Sequence, residues 1–84
     1  MKIIKITALW CPSCLIMNGM IDDIISKYNR EMISYDFDLD KDEVEKYNVG
    51  NILPVLIKVD DSFNEVDRLI GEHKEKEVEE FIKE

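Results

Sequence analysis

The chain predicts an α/β fold: a four-stranded mixed sheet with helices on both faces. Three observations lead there. A short β-branched segment opens the sequence, an amphipathic stretch of helical period follows it, and the remaining apolar runs are cut by turn residues into strand, helix, strand, strand and helix. The element order is therefore β-α-β-α-β-β-α, and residues 1–84 are expected to form a single domain.

Each element has its own justification. "KIIKITAL" is short and rich in β-branched residues, as a buried strand is. From Pro12 to about Asn29, residues Cys14, Met17, Ile21, Ile24 and Tyr28 recur at helical spacing, with Asn18, Asp22, Asp23 and Lys27 between them. Pro12 suits the first turn of that helix, where a missing N–H is no loss. Gly19 in its interior costs about 1 kcal/mol relative to alanine and suggests close packing there. "MISYDFDL" reads as a second strand and "DKDEVEKY" as a short helix capped by Asp40, with Glu43 three residues on. "PVLIKVD", the turn "DSFN" and "EVDRLIG" form a hairpin. Val78, Phe81 and Ile82 give the last helix one apolar face, and His73 is expected to lie exposed in its first turn. A strand–helix–strand start implies a parallel pair with a right-handed crossover, to which the hairpin adds antiparallel strands.

Composition narrows the function. Eleven basic and nineteen acidic residues leave a net charge of −8, which disfavours nucleic acid and anionic membrane, since both call for a basic surface. No segment has the length or apolarity of a membrane span, and "MKIIKITALWC" is too short and broken for a secretory core. The expectation is a cytoplasmic monomer. In that compartment thiols are kept reduced, and a bridge across two residues would constrain the unfolded chain little, so a structural staple is disfavoured.

Both cysteines lie in "TALWCPSCLIM". Cys11 stands where a strand ends and a helix begins, among unpaired N–H groups and the positive end of the helix dipole. Both favour the thiolate, which is the reactive form. Cys14 is one turn further in, within reach of the first sulfur, and a nucleophile with a resolving partner is what thiol–disulfide exchange requires. A structural zinc would need four ligands, whereas the chain has two cysteines and the distant His73, so no metal is expected.

The Trp-Cys-Pro-x-Cys stretch at a strand-to-helix junction, in this element order, resembles the thioredoxin-like family, in a small form close in length to glutaredoxins. "LWCPSC" is similar to that family's active-site loop, "VGNILPVLIKV" to its segment with a cis-proline, and "LIGEHKEKEVEEFIKE" to its glycine and terminal helix. The resemblance implies the thioredoxin-like fold, with Cys11 as nucleophile, Cys14 as resolving thiol and Pro54 as a cis-proline facing them. It also implies Trp10, Pro12 and Ser13 as active-site support, and Trp10, Ile52, Leu53 and Pro54 as an apolar substrate surface. The chain departs from the family at Lys5, where thioredoxins carry a buried acid. It departs again at Pro12, where thioredoxins have glycine, and at Ile52-Leu53-Pro54 and Gly71-Glu72-His73, where glutaredoxins hold glutathione. Lys5 either sits at a solvated margin or tunes the cysteine pair.

The function expected is thiol–disulfide exchange with a protein or small-molecule disulfide. A reductase or small thiol would be the electron donor, and no cofactor is needed beyond the redox-active cysteine pair. Two alternatives from other classes are a copper(I) carrier using both thiolates and a redox-inert interaction module. Copper carriers typically run β-α-β-β-α-β, whereas this chain ends in a helix.

Overall fold

A computed structural model describes all residues, Met1–Glu84. The elements are β1 (Lys2–Thr7), α1 (Pro12–Lys27), β2 (Glu31–Asp36), α2 (Lys41–Glu45), β3 (Val55–Val59), β4 (Glu65–Ile70) and α3 (Glu75–Lys83). The order matches the sequence reading. The sheet runs β2-β1-β3-β4. β1 pairs with β2 in parallel, and β3 pairs antiparallel with both β1 and β4.

The two-residue period of a strand explains the layers. In β1, Ile4 and Ile6 point to one face and Ile3 to the other; in β3, Val55, Ile57 and Val59 oppose Leu56. α1 and α3 cover the face bearing Ile3 and Leu56, through Met17, Ile21, Ile24, Val78 and Ile82. α2 covers the opposite face through Val44. With a helix layer on each side, the two central strands are buried along their length. β2, at an edge, is only half-buried.

Two lysines interrupt the α1–α3 face. Lys5 and Lys58 are buried, yet each finds a partner for its ammonium: Lys5 Nζ lies 3.2 Å from Asp22 Oδ1, and Lys58 Nζ sits 4.7 Å above the Phe81 ring. The long stems pack while the heads reach the margin. Arg30 closes the same face by donating to the carbonyls of Ile82 and Lys83, which lack intrahelical partners at the end of α3.

Several local expectations are corrected. The second strand stops at Asp36 because Asp36 Oδ1 accepts the N–H groups of Asp38 and Leu39, folding Phe37–Asp40 into a turn. Asp40 precedes α2, but its carboxylate does not cap that helix; it accepts the Asp36 N–H at 2.8 Å instead. Gly19 marks no close approach, since an added Cβ would meet nothing within 4 Å. His73 lies ahead of α3 and is half-buried, because its ring bridges the Ile70 carbonyl (2.9 Å) and the Glu77 carboxylate (3.2 Å).

Ile57, fully buried at the centre of β3, gives a direct check on the α2-side core. Ile57→Ala is expected to lower unfolding stability by about 2–5 kcal/mol, read from the urea midpoint at unchanged m-value. A loss under about 1 kcal/mol would show that this core is loosely packed.

Candidate active site

Cys11 is the residue before the first turn of α1, in extended conformation (φ −96°, ψ 109°), with Pro12 as the first helical residue. Its sulfur occupies the place where a serine or aspartate oxygen usually caps a helix. The Cys14 backbone N–H donates to Cys11 Sγ at 3.2 Å. On its other side Cys11 Sγ donates to the Leu53 carbonyl at 3.6 Å. The loop is held by the Cys11 N–H, which donates to the Ala8 carbonyl at 3.2 Å.

The two thiols differ. Cys11 is 5% exposed and Cys14 1%. Burial pushes the Cys14 thiol up to about 11; hydrogen bonding with Cys11 adds to this, while the Ala8 backbone and the Lys5 charge oppose it. Cys14 is thus a protonated, shielded thiol beneath a sulfur that faces helix N–H donors.

The sequence-predicted residues gather here, with differences in role. The Leu53–Pro54 peptide bond is cis, as the resemblance implied. Trp10 is 57% exposed and Ile52 63%, so both contribute apolar surface. Leu53 does not: its side chain is buried, and its contribution to the site is the carbonyl that receives the Cys11 thiol. Pro12 starts the helix, and the hydroxyl of Ser13 donates to Glu72 Oε1 at 2.9 Å. Lys5 is buried and turns its ammonium to Asp22, whose carboxylate is exposed, while its charge still reaches Cys14 and lowers that thiol's pKa.

Two contributors, Leu9 and Asp38, were not singled out from sequence, and the glycine that the resemblance placed before the last helix gains a role. Leu9, 83% exposed, extends the apolar rim. Asp38 accepts the Trp10 indole N–H at 2.6 Å, while the Trp10 ring meets Phe37 edge-on at 6.0 Å. Gly71, at φ 84°, donates its N–H to the Pro54 carbonyl, and a Cβ there would come within 3.1 Å of Ile52 Cγ2. Only glycine combines that backbone angle with that clearance. The three surface hollows, of about 340, 320 and 400 Å³, cluster around α2 and its neighbours, and neither cysteine lines them.

The raised Cys14 pKa carries a stability consequence. The folded chain holds this proton more tightly than the unfolded one, whose value is near 9.0. The stabilisation is complete below about pH 9 and is lost as pH rises towards about 11. With both cysteines kept reduced, the urea midpoint of the protein should fall across that window more steeply than that of Cys14→Ala. Parallel curves would show that Cys14 titrates normally.

Comparison with known proteins places this geometry. The family model described as Thioredoxin matches residues 1–84. A thioredoxin pre-protein from Schistosoma mansoni superposes with a TM-score of 0.85 at 23% identity, over 96% of this chain and 74% of the other. Thioredoxin 1 from Thermosipho africanus gives 0.85 at 23% identity, over 98% and 90%. A Fasciola hepatica thioredoxin gives 0.81 at 24%, over 96% and 78%. The chain belongs to the thioredoxin family, a family of thiol–disulfide oxidoreductases, and Cys11 and Cys14 have the C-x-x-C spacing that supports this chemistry.

Proposed function

We propose that the protein is a thiol–disulfide oxidoreductase in which Cys11 attacks and Cys14 resolves. The observation that carries this reading is the asymmetry of the pair. Cys11 Sγ receives a helix N–H at 3.2 Å, whereas the Cys14 thiol is shielded and its pKa is raised to about 11.

The Cys11 thiolate attacks one sulfur of a disulfide. The old S–S bond breaks, the leaving thiolate takes a proton from water, and a mixed disulfide remains on Cys11. Loss of the Cys11 negative charge and lone pair relieves two of the effects that hold Cys14 protonated. Cys14 then gives up its proton and attacks Cys11 Sγ, releasing the second substrate thiol. The protein has lost two electrons and the substrate has gained them. A reductase dithiol or a small thiol returns them, in a reducing, cytoplasmic setting.

The substrate is a protein disulfide. The open apolar rim of Leu9, Trp10 and Ile52 suits a chain laid across the surface. The Leu53 carbonyl, beside Cys11, offers an acceptor for an extended peptide. Exchange is favoured over copper(I) carriage because binding between two sulfurs needs both as thiolates, whereas Cys14 is held protonated, and over an inert module because such a module needs neither thiol.

The test is trapping. Cys11→Ser should abolish reduction of a protein disulfide such as insulin. Cys14→Ser should attack once and stall as a mixed disulfide visible by mass spectrometry. Stalling by Cys11→Ser instead would reverse the roles, and full turnover by either variant would sink the mechanism.

A further inference from the structure

The rim of the cysteine pair carries an ordered charge. Ser13, between the two cysteines, holds Glu72 Oε1 at 2.9 Å, and on the other side Trp10 holds Asp38 Oδ2 at 2.6 Å. The loops converging on Cys11, residues 8–11, 37–40, 50–54 and 71–74, contain Asp38, Asp40 and Glu72 against Lys74 and His73. Asp40 is turned inward to the Asp36 N–H, and both His73 ring nitrogens are engaged by Ile70 and Glu77. Lys5, the cation beneath the site, is paired with Asp22. The exposed carboxylate nearest the C-x-x-C loop in hydrogen-bonded terms is therefore that of Glu72, fixed by a residue of the loop itself.

We propose that Glu72, held by Ser13, is a specificity-determining residue: it favours disulfides flanked by cations and turns away anionic ones, glutathione disulfide included. This rests on the exchange reaction proposed above. Ser13 is two residues from Cys11, which brings the Glu72 charge within roughly a Debye length, about 8 Å at physiological ionic strength, of a disulfide approaching Cys11. A flexible glutamate would spread its charge over many rotamers, whereas the Ser13 hydroxyl holds this one in place. Glutathione disulfide brings four carboxylates to this rim. The cations near the site are already occupied, apart from Lys74 at the start of α3. A protein disulfide bordered by lysine or arginine meets Asp38 and Glu72 as partners instead. The natural substrate class is thus a basic protein disulfide.

Three dialkyl disulfides with like S–S bonds isolate the charge: dicationic cystamine, neutral bis(2-hydroxyethyl) disulfide and dianionic glutathione disulfide. In each, Cys11 displaces one thiolate and Cys14 the other, so the protein goes from dithiol to disulfide and two thiols are released. Rates with the reduced protein should fall in that order at low salt. Glu72→Gln should narrow the cystamine-to-glutathione ratio about fivefold, with Ser13→Ala part of the way. Salt at about 0.5 M should narrow it too. Using a ratio cancels any change in Cys11 nucleophilicity. Asp61→Asn, in the exposed β3–β4 turn, removes the same unit of charge and should leave the ratio in place. A ratio unmoved by Glu72→Gln, or moved equally by Asp61→Asn, overturns the assignment. If all three disulfides react at rates indifferent to charge, this inference fails and the exchange reading stands. If none reacts, both fail.

Discussion

One hydrogen bond ties the fold to the chemistry: the backbone N–H of Cys14 pointing at Cys11 Sγ. A helix must satisfy its first N–H groups from outside, usually with a serine or aspartate oxygen. Here a cysteine stands in that place, so the group that terminates the helix is also the one proposed as nucleophile. The arrangement needs β1 to stop and α1 to start within a few residues, and the Cys11 N–H bond to Ala8 together with Pro12 at the first helical position makes that turn tight. The geometry that begins the longest helix is therefore also the geometry that sets a helix N–H against a sulfur.

The sheet makes this junction rigid. β1 lies between β2 and β3, and the strands beneath the site are buried on both faces. Ile4, Ile6 and Val55 pack against the same cluster that includes both cysteines. Burying Cys14 there shields it and raises its pKa, as the proposed resolving role requires.

Around this rigid floor, chain segments distant in sequence supply the rim. Gly71 bonds to Pro54 and lies so near Ile52 that a Cβ would press on its side chain, Asp38 orients Trp10, and Glu72 meets Ser13. Exposed apolar side chains, Leu9, Trp10 and Ile52, thus share the rim with the carboxylates of Asp38 and Glu72, the two features on which the proposed substrate selectivity rests.

Sequence alone determined the element order and the C-x-x-C placement of the cysteine pair at the start of a helix, because both are local. Strand and helix periods are read over a few residues, and C-x-x-C before a helix places two sulfurs by its own geometry. The position of Pro54 followed from resemblance of its surrounding segment. What sequence could not decide were side-chain directions set by contacts far along the chain. Leu53 was expected as surface and is buried, because the chain at Pro54 turns its carbonyl rather than its side chain to Cys11. Asp40 was expected to cap α2 and instead braces β2, its carboxylate being taken by the Asp36 N–H at 2.8 Å. Lys5 left two readings open, and only the placement of Asp22 on α1, across from β1, drew its ammonium to that exposed carboxylate. Glu72 was read only as part of Gly71-Glu72-His73, where glutaredoxins hold glutathione, and its contact with Ser13, fifty-nine residues away, is made by the fold alone. Local rules fix what a segment becomes, whereas packing fixes which of its atoms face the site.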